Sequence, residues 1–96
     1  MEIKVQSIKF DADRKLLDFI DKKLAKLEKF FENIVNVDVV LTLEPDHKKQ
    51  VRVNVAIPGE NIVTERVADS FEDAVNECVD ILKELLVKAK EKRFGK

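Results

Sequence analysis

The chain has 96 residues, of which 45% are hydrophobic and 39% charged, with a formal net charge of −1 and only two glycines and two prolines. That composition describes one regular globular domain over residues 1–96 and excludes a disordered chain. No apolar run approaches the roughly 18 residues of a membrane span, and the charge balance is not that of an ordinary nucleic-acid-binding domain.

Ile3 and Val5 alternate with Lys4 and Gln6, which predicts a strand over residues 2–8. Asp11 or Asp13 can cap a following helix. In that helix Leu16, Ile20, Leu24, Leu27 and Phe31 recur at helical spacing, so it is predicted to run to about Phe31. Val35, Val37, Val39, Leu41 and Leu43 then alternate with polar neighbours, a long strand with one apolar face. The segment Pro45-Asp46-His47-Lys48 reads as a turn, and Val51, Val53, Val55 and Ile57 as a third strand. Pro58-Gly59-Glu60-Asn61 turns the chain into a fourth strand over residues 62–67. Asp69, with Glu72 three residues on, resembles a capping box in which Asp replaces Ser or Thr. The second helix runs to about Lys90, with a broad apolar stripe that includes Phe71, Val75, Cys78, Leu82 and Leu86.

The predicted order is β-α-β-β-β-α. Short turns make the last three strands antiparallel neighbours, and the crossover through a helix makes the first strand a parallel partner. Because strands 2 and 3 are apolar on one face only, both helices should cover the same side. The expected fold is α+β: a two-layer sandwich with a four-stranded mixed sheet and two helices on one face. The other face, with Asn36, Asp38, Thr42, Glu44, Arg52 and Asn54, should be wet.

Candidate chemistry is sparse. His47, the only histidine, falls in a predicted turn. Cys78, the only cysteine, lies on an apolar stripe and reads as a small buried hydrophobe. A single cysteine forms no internal disulfide, and residues 1–5 enter a strand pattern directly, so no signal peptide is read and a reducing cytosol is expected. No glycine-rich phosphate loop and no metal-ligand spacing occur, so no cofactor, metal or small-molecule substrate is implied. Asp69, Glu72 and Asp73 gather where a helix starts, which capping and the helix dipole explain. Among the six phenylalanines, Phe94 in the basic tail is the one exposed candidate for base stacking.

Charge is distributed unevenly. Residues 1–31 hold eight Lys/Arg against six Asp/Glu, net +2; residues 32–87 hold five against twelve, net −7; residues 88–96 hold five against one, net +4. On the first helix Lys15, Lys22, Lys26 and Lys29 fall within about 60° of one another, opposite the apolar stripe, and Asp18, Asp21, Glu28 and Glu32 lie to one side. Such a stripe can track a row of phosphates. Lysines opposite a core are also what any surface helix carries. A helix followed by β-β-β-α is in addition the order of a double-stranded-RNA-binding domain, a likeness of order alone.

Specific runs carry a closer resemblance. Lys23-Leu24-Ala25-Lys26-Leu27-Glu28-Lys29-Phe30 leads into Ile34-Val35-Asn36-Val37-Asp38-Val39-Val40-Leu41, followed by Ala68-Asp69-Ser70-Phe71-Glu72-Asp73-Ala74-Val75 and a terminal Lys88-Ala89-Lys90-Glu91-Lys92. In order and spacing, over nearly the whole chain, they resemble the ribosome hibernation promoting factor and ribosome-associated inhibitor family, also called sigma-54 modulation proteins. The resemblance implies a β-α-β-β-β-α fold and a cytoplasmic protein that performs no reaction. It implies a partner, the small ribosomal subunit with its 16S-type rRNA, occupied at the decoding channel in stationary phase or stress. Carried over by position, Lys23, Lys26 and Lys29 match basic positions of the first motif, and Lys88, Lys90 and Lys92 match the terminal one. Lys22 joins them on stripe geometry and Arg93 as part of the basic end. The second helix departs from the pattern, with Ile81, Glu84 and Val87 at commonly basic positions. The end at Lys96 resembles the short form, in which pairing of idle ribosomes is often favoured. The alternative reading is a protein-interaction module that regulates transcription or pairs weakly with a second copy, through the acidic sheet face or Ile81 and Val87.

Overall fold

The computed structural model describes residues 1–93. The elements follow in the order β1 (Glu2–Ile8), α1 (Arg14–Ala25), a 3-10 turn (Lys26–Lys29), β2 (Asn36–Leu43), β3 (Lys49–Ile57), β4 (Glu60–Ala68) and α2 (Phe71–Arg93). The strands lie in the order β1-β2-β3-β4. β1 pairs in parallel with β2, and the β2–β3 and β3–β4 pairs are antiparallel. This is the expected α+β sandwich with its mixed sheet.

The register aligns Ile3, Val37, Val55 and Ile62 across all four strands. This row and the rows of the same parity face the helices, where Val37, Val39, Leu41, Val51, Val53 and Val55 are buried. Ile20 and Leu24 of α1, and Leu82 and Leu86 of α2, close the core from above. Truncating any one of these to alanine should cost about 2–5 kcal/mol. The opposite face carries Asp38, Arg52 and Asn54, as expected, but also Val63 and Val67, 44% and 50% exposed.

Three local expectations change. The first helix stops at Ala25 rather than near Phe31, and the chain tightens into the 3-10 turn. No glycine is available there for a left-handed stop, so the last carbonyls are met by shorter bonds, including Phe30 N–H to Leu27 O at 2.9 Å. Val35 lies ahead of β2 and is 60% exposed, its N–H donating to Ala56 O at 2.8 Å. Finally, Asp69 is not the cap of α2. Its carboxylate meets Lys48 Nζ at 2.5 Å, whereas Ser70 Oγ accepts from Asp73 N–H at 3.1 Å. At α1 the cap is Asp13, which accepts from Leu16 N–H at 2.9 Å.

Candidate nucleic-acid interface

Topology places the basic segments. β1, β2 and β4 run in one direction. Each helix follows a strand of that direction and returns over the same face, so α1 and α2 run parallel, with their C-terminal ends pointing the same way. Arg93 confirms the juxtaposition, with its guanidinium 5.7 Å over the Phe31 ring. The negative ends of the two helix dipoles thus point the same way. Lys22 and Lys23 occupy the last turn of α1, and Lys90, Lys92 and Arg93 that of α2, the favourable placement for cations.

The acidic flank of α1 faces away from α2: Glu28 lies 3.8 Å from the N-terminal ammonium, beside the sheet-edge strand β1. The opposite flank therefore faces α2. There Lys23 places its ammonium 5.5 Å from the Phe19 ring. Lys22, Lys26 and Lys29 are exposed on the outer surface. The 3-10 turn preserves the stripe, because residues three apart eclipse at about 120° per residue and Lys29 lies over Lys26.

α2 splits its cations between two flanks. Lys90 lines a shallow cleft of about 200 Å³ with Phe31, Glu32 and Asn33, on the α1 side. Lys88 and Lys92 line a second cleft with Glu60, Asn61 and Ile62, on the β4 side. A third shallow cleft, on the outer side of α2, is lined by Lys83, Glu84, Val87, Lys88 and Glu91. Arg93 reaches inward, its guanidinium donating to Pro58 O and lying 3.5 Å from Glu60 Oε1. So the residues expected from sequence meet at one end. The structure brings Lys90 to the first-helix lysines, sets Lys88 and Lys92 apart, and commits Arg93 within the molecule. Among the described residues, none of Lys22, Lys23, Lys26, Lys29, Lys88, Lys90 and Lys92 has a carboxylate within 4.0 Å. A phosphate could engage them without first breaking an ion pair.

The sequence singles out no role for Lys83, yet its ammonium lies 5.8 Å from the Phe30 ring, on the side of α2 that meets α1. Its spacing of seven from Lys90, two helical turns along one flank, is the signal that could have found it.

The other chemistry-bearing residues stand apart from this end. Cys78 is buried, its thiol 3.6 Å from Val51 O, and burial pushes its pKa up to about 11. His47 is exposed in the β2–β3 turn with φ of 68°. Phe10 stacks on Phe71 at 4.9 Å, closing the far end of the core. Phe94 lies outside the described residues. Among those described, no group of three metal-ligating side chains occurs, and no helix is long and apolar enough to cross a membrane.

The profile of the sigma 54 modulation protein / S30EA ribosomal protein family matches residues 3–93. A ribosome hibernation promoting factor of Azotobacter vinelandii is 26% identical over 94 residues, covering 98% of this chain and 87% of that protein. One from Pseudomonas putida is 29% identical over 93 residues, covering 97% and 90%. Among solved structures, a ribosomal subunit interface protein from Coxiella burnetii superposes with a TM-score of 0.87 at 26% identity, covering 94% of this chain and 98% of that one. The N-terminal domain of Thermus thermophilus Protein Y superposes with a TM-score of 0.84 at 25% identity, covering 92% and 98%.

Proposed function

The chain belongs to the sigma 54 modulation protein / S30EA ribosomal protein family, and on that footing we propose that it silences ribosomes by occupancy. It binds the small ribosomal subunit at the decoding channel through rRNA phosphates, performs no reaction, and acts in the cytoplasm when translation is idle in stationary phase or stress. The relatives named ribosome hibernation promoting factor support this reading, as does the neighbour named a ribosomal subunit interface protein.

The observation that carries it is the end of the molecule toward which both helices run, where lysines with no carboxylate partner among the described residues gather although the chain is net negative. Overall charge would repel RNA, so binding rests on where the cations sit. Lys22, Lys26 and Lys29 take one run of phosphates along the first helix. Lys23 and Lys90 face the groove between the helices, and Lys88 and Lys92 reach a separate run beside β4.

Sucrose-gradient sedimentation tests the reading. Added to purified ribosomes, the protein should co-sediment with small subunits and block mRNA binding. The same gradient separates single from paired ribosomes and so reports whether pairing accompanies silencing. Binding should fall steeply with salt, by roughly 0.7–0.9 log units per log unit of salt for each phosphate neutralised. Binding insensitive to salt would instead favour a protein contact on the sheet face carrying Val63 and Val67.

A further inference from the structure

We propose that Lys83, on the flank of α2 that meets the first helical segment, is a phosphate contact that joins Lys26, Lys29 and Lys90. The inference rests on the RNA-binding reading above and adds a residue to its site.

Lys83 is the only Lys or Arg among residues 71–87, and Ile81, Glu84 and Val87 around it carry no positive charge. A lone cation in an acidic stretch would ordinarily be one more solvated side chain. Two observations set it apart. Its ammonium stands over Phe30, the residue that follows the 3-10 turn carrying Lys26 and Lys29. The contact therefore fixes the cation on the inner flank of α2, beside the basic stripe. Within α1, Lys23 is arranged in the same way over Phe19. Both rings are half-buried against the core. A cation held on an aromatic face has already lost much of its rotamer freedom, so less entropy is lost when a phosphate arrives. Lys90, two turns further along the same flank, extends the row.

One carboxylate lies within ion-pair range, and Glu84 and Glu91 line the same shallow cleft as Lys83. Asp80 Oδ1 lies 4.0 Å from Lys83 Nζ, three residues earlier on the helix, and Asp80 is 79% exposed. A contact of that length at that exposure is worth little. It leaves the ammonium free to meet a phosphate.

The test is binding to purified small ribosomal subunits across a KCl series, with the wild-type protein, Lys83→Gln, Lys83→Arg and, as reference, Lys26→Gln. Lys83→Gln keeps most of the stem over Phe30 and removes the charge. It should weaken binding several-fold and lower the salt slope by about 0.7–0.9, as Lys26→Gln does, whereas Lys83→Arg should keep the wild-type slope. A purely structural role would leave the slope unchanged. Wild-type slope and affinity in Lys83→Gln, beside a clear loss in Lys26→Gln, would overturn the assignment of Lys83 and leave the silencing function standing. Failure of the wild-type protein to bind the subunits would overturn both.

Discussion

Arg93 holds its guanidinium 5.7 Å over the ring of Phe31, tying the last turn of α2 to the segment that leads from the first helix into β2. The same guanidinium donates to Pro58 O in the β3–β4 turn. Three parts of the chain thus meet on one side chain at the basic end. Arg93→Ala should lower stability by about 1 kcal/mol, the loss of one cation–π contact and one charge-assisted hydrogen bond. It should appear as a lower urea midpoint at unchanged m-value. The salt slope of subunit binding should stay at the wild-type value; a slope reduced by about one phosphate's worth would return Arg93 to the RNA-contacting set.

Ser70 and Asp69 divide what the sequence assigns to Asp69 alone. Ser70→Ala removes the Oγ that accepts from Asp73 N–H and should cost about 1 kcal/mol in thermal or urea unfolding. Asp69→Asn removes only the exposed pair with Lys48. The Lys48 hydrogen bond holds the Asp69 carboxyl below its usual pKa. Its contribution is therefore present above the ordinary carboxylate pKa and fades as pH falls through the depressed one. Asp69→Asn should cost a little at neutral pH, less than Ser70→Ala, and flatten the acid limb of the stability profile by that same small amount. A larger neutral-pH loss for Asp69→Asn than for Ser70→Ala would reverse this division.

These details show why the sequence resolves some features and not others. Alternation locates β2 and β3 because only one sheet face is covered, so Val37, Val39 and Val53 must all point one way. The basic end is legible because two helices that follow parallel strands over one sheet face must run the same way. The stop at Ala25 is not, since Leu24 and Leu27 meet the core in either an α-helix or a 3-10 turn. The division between Asp69 and Ser70 is hidden because Lys48, which draws Asp69 away, lies on the β2–β3 turn. For Lys83 the spacing of seven from Lys90 gives only a flank; Phe30, which gives it a place, meets it only in the folded chain.

Cys78 should be inert while the protein is folded. Burial pushes its pKa up to about 11, so almost no thiolate exists at neutral pH. Iodoacetamide should label it only under unfolding conditions, and rapid labelling of the native protein would contradict the buried placement. Cys78→Ser should cost about 1–2 kcal/mol. The carbonyl of Val51, already facing the thiol at 3.6 Å, gives the new hydroxyl one acceptor and keeps the cost from rising further. Subunit binding by the folded variant should be unchanged.

Lys26 and Lys29 lie one above the other on the 3-10 turn and are exposed. Neither packs against the core, so Lys26→Glu/Lys29→Glu should change stability by no more than about 0.5 kcal/mol per site. At the RNA, each change removes a phosphate contact and adds a repulsive charge. Binding to small subunits at physiological salt should be lost. The change in net charge, four units toward negative, calls for a control. Asp38→Lys/Glu44→Lys shifts charge equally in the opposite direction, at the far face of the sheet and at the start of the β2–β3 turn. If the overall field governed binding, the control alone would bind much more tightly, and adding it to the lysine variant would restore binding. If the stripe governs, the control changes little and restores nothing. Subunit binding at wild-type affinity by Lys26→Glu/Lys29→Glu, with its fold intact by circular dichroism, would remove the first helix from the RNA-contacting surface.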